Sequence, residues 1–293
     1  MADAAVEQEV SAEPHLALEP LARAARAVRT LCGGGTMLWR AWGESRAAGS
    51  RPLVLLHGGS GSWRHWCRNV EFFASDRLLL VPDLPGLGES VMPEDPATPD
   101  SCAAALARWL DAILPPGARY DVAGFSFGAN CAGHLAVRDP ARCASLTLVG
   151  AASLGLTRSR TDLLKVRDKE GAERMDAHRA NLATLMFADA SRIDDVALAI
   201  QEWNTRHARL KSRPFAGTDM LLHAVKAAPQ PLNVIYGARD AIAYPHVQSR
   251  LDLLCEARPG TDARMIEGAG HWVAYEAAEA FNAMLAEMLA RRA

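Results

Sequence analysis

The chain has 293 residues, of which 49% are hydrophobic and 23% are charged, and its formal net charge is −2. This near-neutral balance argues against a nucleic-acid-binding protein that neutralises phosphates, and the apolar content argues against a disordered chain. No run of residues approaches the roughly 18 consecutive apolar residues of a membrane span, so no membrane contact is expected. The length suits one large α/β domain or two smaller domains.

The N-terminal residues and the cysteines both favour a cytoplasmic protein. The first ten residues carry Asp3, Glu7 and Glu9 but no Lys or Arg and no apolar run, so no secretory signal is predicted. The six cysteines are scattered and form no CxxC pair, which leaves zinc-ribbon and thioredoxin-like sites without support. We therefore expect free thiols in a reducing compartment and no metal site.

In chain order, the hydrophobic pattern predicts first a tail and then an alternation of strands and helices. Residues 1–20 are acidic, contain two prolines and lack a strong period, which is typical of a flexible tail. Short apolar runs predict buried strands, and these lie at Met37–Trp42, Pro52–Leu56, Arg77–Val81, Tyr120–Ala123, Ser145–Val149, Leu232–Tyr236 and Ala263–Ile266. Helical spacing predicts helices over 101–113, Ser126–Arg138 and Val273–Leu289. Strands buried on both faces, with helices between them, indicate an α/β fold with a mostly parallel sheet and flanking helices.

One segment interrupts this alternation. Residues 152–228 contain no convincing strand but several helical stretches, such as 161–187 and 193–210. Residues 151–230 hold 13 Lys and Arg against 10 Asp and Glu, so this region carries a charge of about +3, which weakly favours a small anionic or neutral substrate. The pattern predicts a helical insertion into a core formed by residues 21–151 and 229–293.

Residues 124–128 read Gly-Phe-Ser-Phe-Gly and match the G-x-S-x-G pattern of a nucleophilic serine. The pattern has a geometric reason. A strand must turn sharply into a helix with the serine at the apex, and the two glycines leave room for that turn. The predicted strand before Ser126 and the predicted helix after it supply this context. Ser126 is therefore the predicted nucleophile, although a serine that only caps the helix would fit the same pattern.

A serine hydroxyl is a weak nucleophile and requires a base, which in turn requires an acid that orients it. His271 follows the last predicted strand in a Gly-rich loop, where it can lie over the carboxyl edge of the sheet. Asp240 follows the preceding strand, so the chain order Ser126, Asp240, His271 is the one expected for such a triad. Asp83 also follows a strand, but its surroundings predict a structural turn in which the carboxylate caps backbone amides.

Acyl chemistry also requires N–H groups that stabilise an oxyanion. The backbone N–H of Phe127, at the start of a helix, is one predicted donor. The second is expected in the loop after the Pro52–Leu56 strand, from Gly59 or, as the near alternative, from Ser60. His57 in the same loop is expected to shape the loop through packing or hydrogen bonding rather than to catalyse.

These segments together resemble the α/β-hydrolase family, in the branch with a serine nucleophile. The resemblance rests on residues 57–58 (His-Gly), 83–90 (Asp-Leu-Pro-Gly-Leu-Gly-Glu-Ser) and 124–128, on Asp240 after its strand, and on residues 270–272 (Gly-His-Trp). It implies a twisted, mostly parallel sheet, a helical cap at 152–228 and a cofactor-free hydrolase. A serine at position 126 disfavours the haloalkane dehalogenases and epoxide hydrolases of the family, which use an aspartate.

Two branches of the family are similar to these motifs. The loop that ends at Trp63 and the pair His271-Trp272 resemble the meta-cleavage-product hydrolases, which cleave carbon–carbon bonds in vinylogous diketo acids. That branch commonly has Asn and Met where this chain has Phe125 and Phe127. Carboxylesterases are similar at the same motifs, and a serine hydrolase of small carboxylic esters is the preferred interpretation. A C–C bond hydrolase and a non-catalytic ligand-binding member of the fold are the alternatives.

The acyl pocket is expected to be mainly apolar. Its predicted lining comprises Ser60, Trp63, Phe125, Met186 and Trp272, with Trp66, Leu185 and Phe187 as further candidates. Arg179 or Arg206 in the cap could pair with a carboxylate of the substrate. The expected partner is a small molecule, and a homo-oligomer is possible.

Overall fold

Eight strands form one sheet, and helices cover it. The computed structural model describes residues 12–46, 50–93, 97–114, 116–159 and 161–291. The strands are β1 (Arg26–Cys32), β2 (Gly35–Trp42), β3 (Leu53–Leu56), β4 (Leu79–Pro82), β5 (Tyr120–Phe125), β6 (Cys143–Val149), β7 (Leu232–Gly237) and β8 (Asp262–Ile266). Their order is β1-β2-β4-β3-β5-β6-β7-β8, in which β1–β2 and β2–β4 pair antiparallel and every other neighbouring pair is parallel. The prediction of a mostly parallel α/β sheet is confirmed.

The central strands are buried on both faces because the sheet separates two apolar clusters. Along β3, Val54 and Leu56 belong to one cluster, whereas Leu53 and Leu55 belong to the other. Every residue of β3, β4, β5, β6 and β7 is buried. This double burial is why these strands appear in the sequence as continuous apolar runs rather than as an alternation.

The sequence analysis predicts no strand before Met37, whereas the structure has β1 as the edge strand of the sheet. Its buried residues alternate at Val28, Thr30 and Cys32, and β1 is joined to β2 through Gly33 and Gly34. Gly33 has a φ of 50°, which a hairpin turn requires and glycine adopts without strain. The Gly-Gly pair beside this alternation is the sequence signal that could have revealed the hairpin.

The helices lie between the strands in the chain. They are α1 (Glu19–Ala24), α2 (Val70–Ala74), α3 (Pro99–Ile113), α4 (Phe127–Arg138), α5 (Gly171–Leu185), α6 (Asp195–His207), α7 (Met220–Ala227), α8 (Val247–Ala257), α9 (Val273–Glu276) and α10 (Ala278–Ala290). Helices α5, α6 and α7 follow one another between β6 and β7. The predicted continuous helix over Val273–Leu289 is instead two helices, because the backbone at Ala277 (φ −125°, ψ 47°) leaves the helical region.

The segment before α5 differs from the prediction of one helix over 161–187. Residues 161–170 are not helical, and α5 begins only at Gly171. The side chain of Asn181 on α5 accepts a hydrogen bond from the Leu164 N–H at 2.7 Å and donates one to the Leu164 carbonyl at 3.0 Å. An amide that satisfies both backbone groups holds the segment alongside α5 without a helix of its own.

The predicted tail is only partly within the described residues. Residues 1–11 lie outside them, whereas Glu13 and Leu18 contact the rest of the molecule. Leu18 is buried, and the Glu13 carboxylate accepts hydrogen bonds of 2.6 and 2.9 Å from the buried Arg64 guanidinium. That guanidinium also lies 3.7 Å from the ring centroid of Trp203 on α6. Residues 13–18 are therefore held against the core, and Glu13 shares its partner Arg64 with α6.

Candidate active site

Ser126 occupies a sharp turn between β5 and α4. Its φ of 53° and ψ of −111° lie outside the regions that residues with a Cβ commonly occupy. The Ser126 N–H donates to the Val149 carbonyl at 2.8 Å, which fixes the turn against β6. A Cβ on Gly124 would lie 2.2 Å from the Gly128 carbonyl oxygen, and one on Gly128 would lie 2.3 Å from that of Leu56. The two glycines of the motif are therefore required by the close approach of backbone segments.

Three side chains from separate parts of the chain form a line of hydrogen bonds. The Ser126 Oγ lies 3.1 Å from His271 Nε2, and His271 Nδ1 lies 2.8 Å from Asp240 Oδ2. Because Asp240 can only accept as a carboxylate, His271 Nδ1 carries the proton, and Nε2 is free to accept from the serine. The structure thus brings together the three residues that the sequence analysis selects, in the arrangement of a nucleophile, a base and an orienting acid.

The position of Asp240 is set by the loop that follows β7. Its other carboxylate oxygen accepts the Ile242 N–H at 3.0 Å, so both oxygens are occupied, and the side chain is fully buried. Gly150, at the end of β6, lies directly beside this pair. A Cβ there would be 3.1 Å from Asp240 Oδ2 and 3.2 Å from His271 Nδ1, and its φ is 52°. A glycine at this position leaves room for the histidine–carboxylate contact.

A cavity of about 270 Å³ opens onto Ser126 and His271. Its wall combines residues of the core with residues from the 152–228 insertion. From the core come Gly58, Gly59, Ser60, His65, Phe125, Phe127 and Ile242, and from the insertion come Arg158, Leu163, Leu164, His178, Leu185, Met186, Gln201, Thr205, Ser212, Arg213 and Phe215. The predicted lining residues Ser60, Phe125, Met186 and Leu185 are among them.

Two residues of the cavity wall have backbone N–H groups with no acceptor among the described residues. Within the described part of the chain, the amides of Gly59 and Phe127 make no hydrogen bond, and both residues line the cavity beside Ser126. Phe127 is the first residue of α4, so its N–H also lies at the positive end of the helix dipole. Both N–H groups therefore remain available for an acceptor from outside the described chain.

His57 and Asp83 have the structural roles that the sequence predicts. His57 donates from Nδ1 to the Gly58 carbonyl at 2.8 Å and accepts the Leu84 N–H at Nε2, also at 2.8 Å. Burial lowers the pKa of His57 below its ordinary value, and the nearby Asp83 charge opposes that shift. Asp83 accepts the Trp63 N–H at 2.8 Å and the Glu89 N–H at 3.0 Å. Together they fix the loop that carries Gly59.

His65 is a cavity residue that the sequence analysis did not select. It is buried, accepts the Gly58 N–H at 3.3 Å, and packs against Phe125 and Trp272. Burial lowers its pKa well below the ordinary value, and the neighbouring His57 and His271 lower it further. His65 therefore packs beside the triad as a buried ring that also holds the Gly58 backbone.

The structure corrects the prediction that Trp63 and Trp272 line the pocket. Both indoles are fully buried, and neither reaches the cavity wall. The Trp63 ring lies under the Arg40 guanidinium at 5.2 Å. Trp272 stacks on Tyr275 at 4.2 Å and donates its indole N–H to the His65 carbonyl at 2.9 Å. Trp66 and Phe187 are also outside the wall, so these aromatic residues support the site by packing behind it.

The prediction for Arg179 is corrected in the same way. Arg179 donates to the Ile193 carbonyl at 2.9 Å and lies 4.0 Å from Asp195, outside the cavity wall. Arg206 forms an ion pair with Glu202 one helical turn away on α6. The arginines that do line the cavity are Arg158 and Arg213. Arg158 precedes these helices, and Arg213 lies between two of them. The 3.6-residue period of a helix therefore could not predict that they line the cavity.

Glu276 is a further residue that the sequence analysis did not select. Its buried carboxylate accepts the Gly270 N–H at 2.6 Å, the Ala188 N–H at 3.0 Å and the Asp189 N–H at 2.8 Å. Gly270 precedes His271, and residues 188–189 follow α5. One carboxylate thus ties the loop of the base to the insertion.

The described residues include no group of three or more His, Cys, Asp or Glu side chains that could hold a metal ion. No helix described in the structure has the length and apolar character needed to cross a membrane. Five of the six cysteines are buried, and Cys255 is exposed.

Comparisons with known proteins agree with this fold. The model of a family described as "Alpha/beta hydrolase family" matches residues 53–284. The chain is 28% identical over 267 residues to the dihydrolipoyllysine-residue acetyltransferase component of an acetoin cleaving system of Pseudomonas putida, a match that covers 87% of this chain and 67% of that relative. It is also 28% identical over 277 residues to a 2-hydroxy-6-oxononadienedioate/2-hydroxy-6-oxononatrienedioate hydrolase of Paraburkholderia phymatum, with 87% of this chain and 92% of the relative covered.

A solved structure shows the same fold at low sequence identity. Carboxylesterase CesB of Bacillus subtilis superposes with a TM-score of 0.72 and 18% identity, over 90% of this chain and 91% of that one. The family model covers far more than half of the chain and includes the segments that carry Ser126, Asp240 and His271. The protein is a member of the α/β hydrolase family.

Proposed function

We propose that this protein is a serine hydrolase that cleaves small carboxylic esters through a Ser126–His271–Asp240 triad. The observation that carries the proposal is the line of hydrogen bonds from Ser126 Oγ through His271 to Asp240, at 3.1 and 2.8 Å, at the wall of a cavity. A cavity of about 270 Å³ suits a small substrate.

Acylation follows from the positions of these groups. His271 Nε2 takes the hydroxyl proton as Ser126 Oγ attacks the carbonyl carbon of the ester, and the carbonyl oxygen becomes an oxyanion. The N–H groups of Gly59 and Phe127 donate to that oxyanion, a type of contact worth about 10²–10³ in rate per donor. Asp240 holds the imidazolium in position and stabilises its charge. The imidazolium then donates its proton to the leaving alcohol, which leaves an acyl group on Ser126.

Deacylation repeats these steps with water. His271 takes a proton from a water molecule as the water attacks the acyl carbon, and the same two N–H groups hold the second oxyanion. Collapse of this intermediate breaks the bond to Ser126 Oγ, which regains a proton from His271. The products are a carboxylic acid and the free enzyme. No cofactor takes part in this scheme.

The test is hydrolysis of a panel of 4-nitrophenyl esters from acetate to octanoate. We expect turnover by the wild type, and a loss of about 10⁴-fold or more in kcat for Ser126→Ala. The control is Ser75→Ala, since Ser75 is an exposed serine bonded only to the Phe72 carbonyl, and full activity is expected there. A fluorophosphonate should label the wild type and Ser75→Ala but not Ser126→Ala. Ester turnover that survives in Ser126→Ala would overturn the mechanism.

Hydrolysis of a carbon–carbon bond is the second candidate function. It is supported by the relative from Paraburkholderia phymatum, whose name describes a hydrolase of 2-hydroxy-6-oxononadienedioate. The two candidates are separated by offering that dienedioate beside the nitrophenyl esters and following the loss of its conjugated absorbance. If kcat/KM for the dienedioate exceeds that for every ester by more than about a hundredfold, the second candidate replaces the first.

A further inference from the structure

The cavity wall carries two positive side chains and no negative one among the described residues. Arg158 and Arg213 line it together with Ser126, whereas Asp and Glu are absent from the described lining. Neither arginine has an ion-pair partner within the described ranges. The two arginines that the sequence predicts for an anion, Arg179 and Arg206, are paired with Asp195 and Glu202 instead. The described wall of the cavity thus presents two guanidinium groups and no carboxylate, with the Asp240 charge near Arg158 but outside the wall.

Arg158 is held at the side of the triad by its neighbours in the chain. Ser159 donates its N–H to the Ile242 carbonyl at 3.3 Å and its hydroxyl to the Tyr244 carbonyl at 2.5 Å. Arg250 binds the Thr157 carbonyl at 3.2 Å from the same loop region. These bonds fasten residues 157–159 to the loop that begins at Asp240. Hydrogen bonds on both sides of Arg158 therefore hold its backbone next to the Asp240 loop.

The Arg158 side chain has a hydrogen-bond donor without an acceptor. It is partly buried, and its Nε is buried without a hydrogen-bond partner. Burial lowers the pKa of Arg158, the charges of Arg213 and Arg250 lower it further, and the charge of Asp240 opposes these effects. Leaving a buried donor of a charged group unpaired is costly, and a bound anion would both accept from this nitrogen and relieve the repulsion between the guanidinium groups.

Arg213 approaches the cavity from the side of the predicted oxyanion donors. It begins the short helical turn Arg213–Gly217, next to Ser212. Ser212 is in close contact with Gly59, since a Cβ on Gly59 would lie only 2.0 Å from the Ser212 Oγ. The Arg213 side chain is exposed at the wall rather than packed away. An anion in the cavity can therefore be reached from two sides while Ser126 stays accessible.

We infer that the substrate carries a carboxylate, and that Arg158 and Arg213 bind it while Ser126 attacks the acyl carbon at another position of the same molecule. The inference rests on the proposed function and adds the class of substrate to it. A guanidinium group presents parallel N–H donors that match the two oxygens of a carboxylate, so two arginines around one small cavity select that group over a neutral one. Because the carboxylate does not change during the reaction, its binding should act mainly on KM.

The experiment compares two aryl esters that differ only in charge. Mono-4-nitrophenyl adipate carries a terminal carboxylate, and 4-nitrophenyl 5-carbamoylpentanoate carries the amide of the same shape. For the wild type, we expect kcat/KM to be about 10- to 100-fold higher for the adipate ester, the range of one charge-assisted contact. Arg158→Gln and Arg213→Gln should each lower that ratio, because KM rises more for the adipate ester than for the amide ester. Arg179→Gln is the matched control, since Arg179 lies outside the wall, and its ratio should stay at the wild-type value.

The outcomes separate the inference from the proposed function. A wild-type ratio near one, or arginine variants that depress both esters equally, would overturn the carboxylate assignment while ester hydrolysis stands. If neither ester is hydrolysed, the proposed function fails, and calorimetric binding of adipate monoamide to Ser126→Ala decides the inference. Binding that is lost in Arg158→Gln and Arg213→Gln but retained in Arg179→Gln would uphold the anion site. Absence of binding in the parent variant would overturn it.

Discussion

Replacing Ser126 by glycine tests how much strain the turn before α4 stores. At φ 53° and ψ −111°, a residue with a Cβ is strained, which costs of order 1–3 kcal/mol. Glycine adopts the same backbone without that steric cost. However, glycine also raises the conformational entropy of the unfolded chain, which lowers the free energy of unfolding by about 0.5–1 kcal/mol. The first effect exceeds the second over most of these ranges. We therefore expect Ser126→Gly to have a free energy of unfolding about 0.5–2 kcal/mol higher than Ser126→Ala.

Ser126→Ala is the reference because it removes the same hydroxyl, and the same 3.1 Å contact with His271, but retains the Cβ. Urea unfolding at pH 7.5, followed by tryptophan fluorescence, gives both free energies. Ala283→Gly, in the middle of α10 where the backbone is helical, provides a control that should cost about 1 kcal/mol. If Ser126→Gly is less stable than Ser126→Ala by a similar amount, the turn is not strained and the reasoning is refuted.

Three further predictions concern the same site. Asp240→Asn should lower kcat on 4-nitrophenyl esters by about 10³–10⁴-fold with little change in fold, because the amide no longer holds His271 in the required tautomer; a loss below tenfold would contradict this. His57 has a lowered pKa, so its contribution to stability is complete above about pH 6.5 and is lost as the pH falls through its folded-state pKa. His57→Gln keeps an acceptor for the Leu84 N–H but cannot titrate. Its free energy of unfolding in urea should therefore fall less between pH 7.5 and pH 5 than that of the wild type. Gly128→Ala should lower the free energy of unfolding by about 2–3 kcal/mol or more, because the new Cβ would lie 2.3 Å from a β3 carbonyl, and a melting temperature equal to that of the wild type would count against the close approach.

The turn at Ser126 and its partners could be selected from the sequence because they depend on local backbone geometry. The glycines of the pattern at 124–128 are required because a Cβ on either of them would lie less than 2.5 Å from a carbonyl oxygen. Asp240 and His271 each follow a strand of a parallel sheet, and all such strands end at one edge. The three side chains can therefore be expected at the same edge once the strands have been located along the chain, and the apolar runs locate them.

The lining of the cavity could not be selected in this way. Trp63 and Trp272 are adjacent in sequence to the motif residues, but adjacency does not fix the direction of a side chain, and both rings point into the apolar cluster behind the site. Arg158 and Arg213 come from irregular segments, where neither a 2-residue nor a 3.6-residue period applies. Their approach to Ser126 depends on contacts with residues more than 50 positions away, such as that of Ser159 with Ile242.

The structure of the insertion also could not be predicted from the periodicity of its apolar residues. The sequence predicts helix over 161–187, yet a single amide, that of Asn181, pairs with the backbone of Leu164 and leaves residues 161–170 as a wall of the cavity. Intrinsic preference is a weak guide where one tertiary contact satisfies the same backbone groups that a helix would. Leu163, Leu164 and Val166 line the cavity as a result.

Glu276 links the two parts of the site that the sequence treats separately. Its carboxylate accepts N–H groups from Gly270 and from residues 188–189, so the loop before His271 and the end of α5 share one buried anchor. Met186, which lines the cavity, also accepts the Trp272 N–H at 2.8 Å through its carbonyl. Residues on either side of His271 are thus bonded to the insertion. Because a hydrogen bond tolerates only a few tenths of an ångström of displacement before it weakens, the insertion cannot shift at α5 without moving the base. The geometry of the cavity wall and that of the proton-transfer step are therefore set together, by backbone contacts rather than by the triad side chains alone.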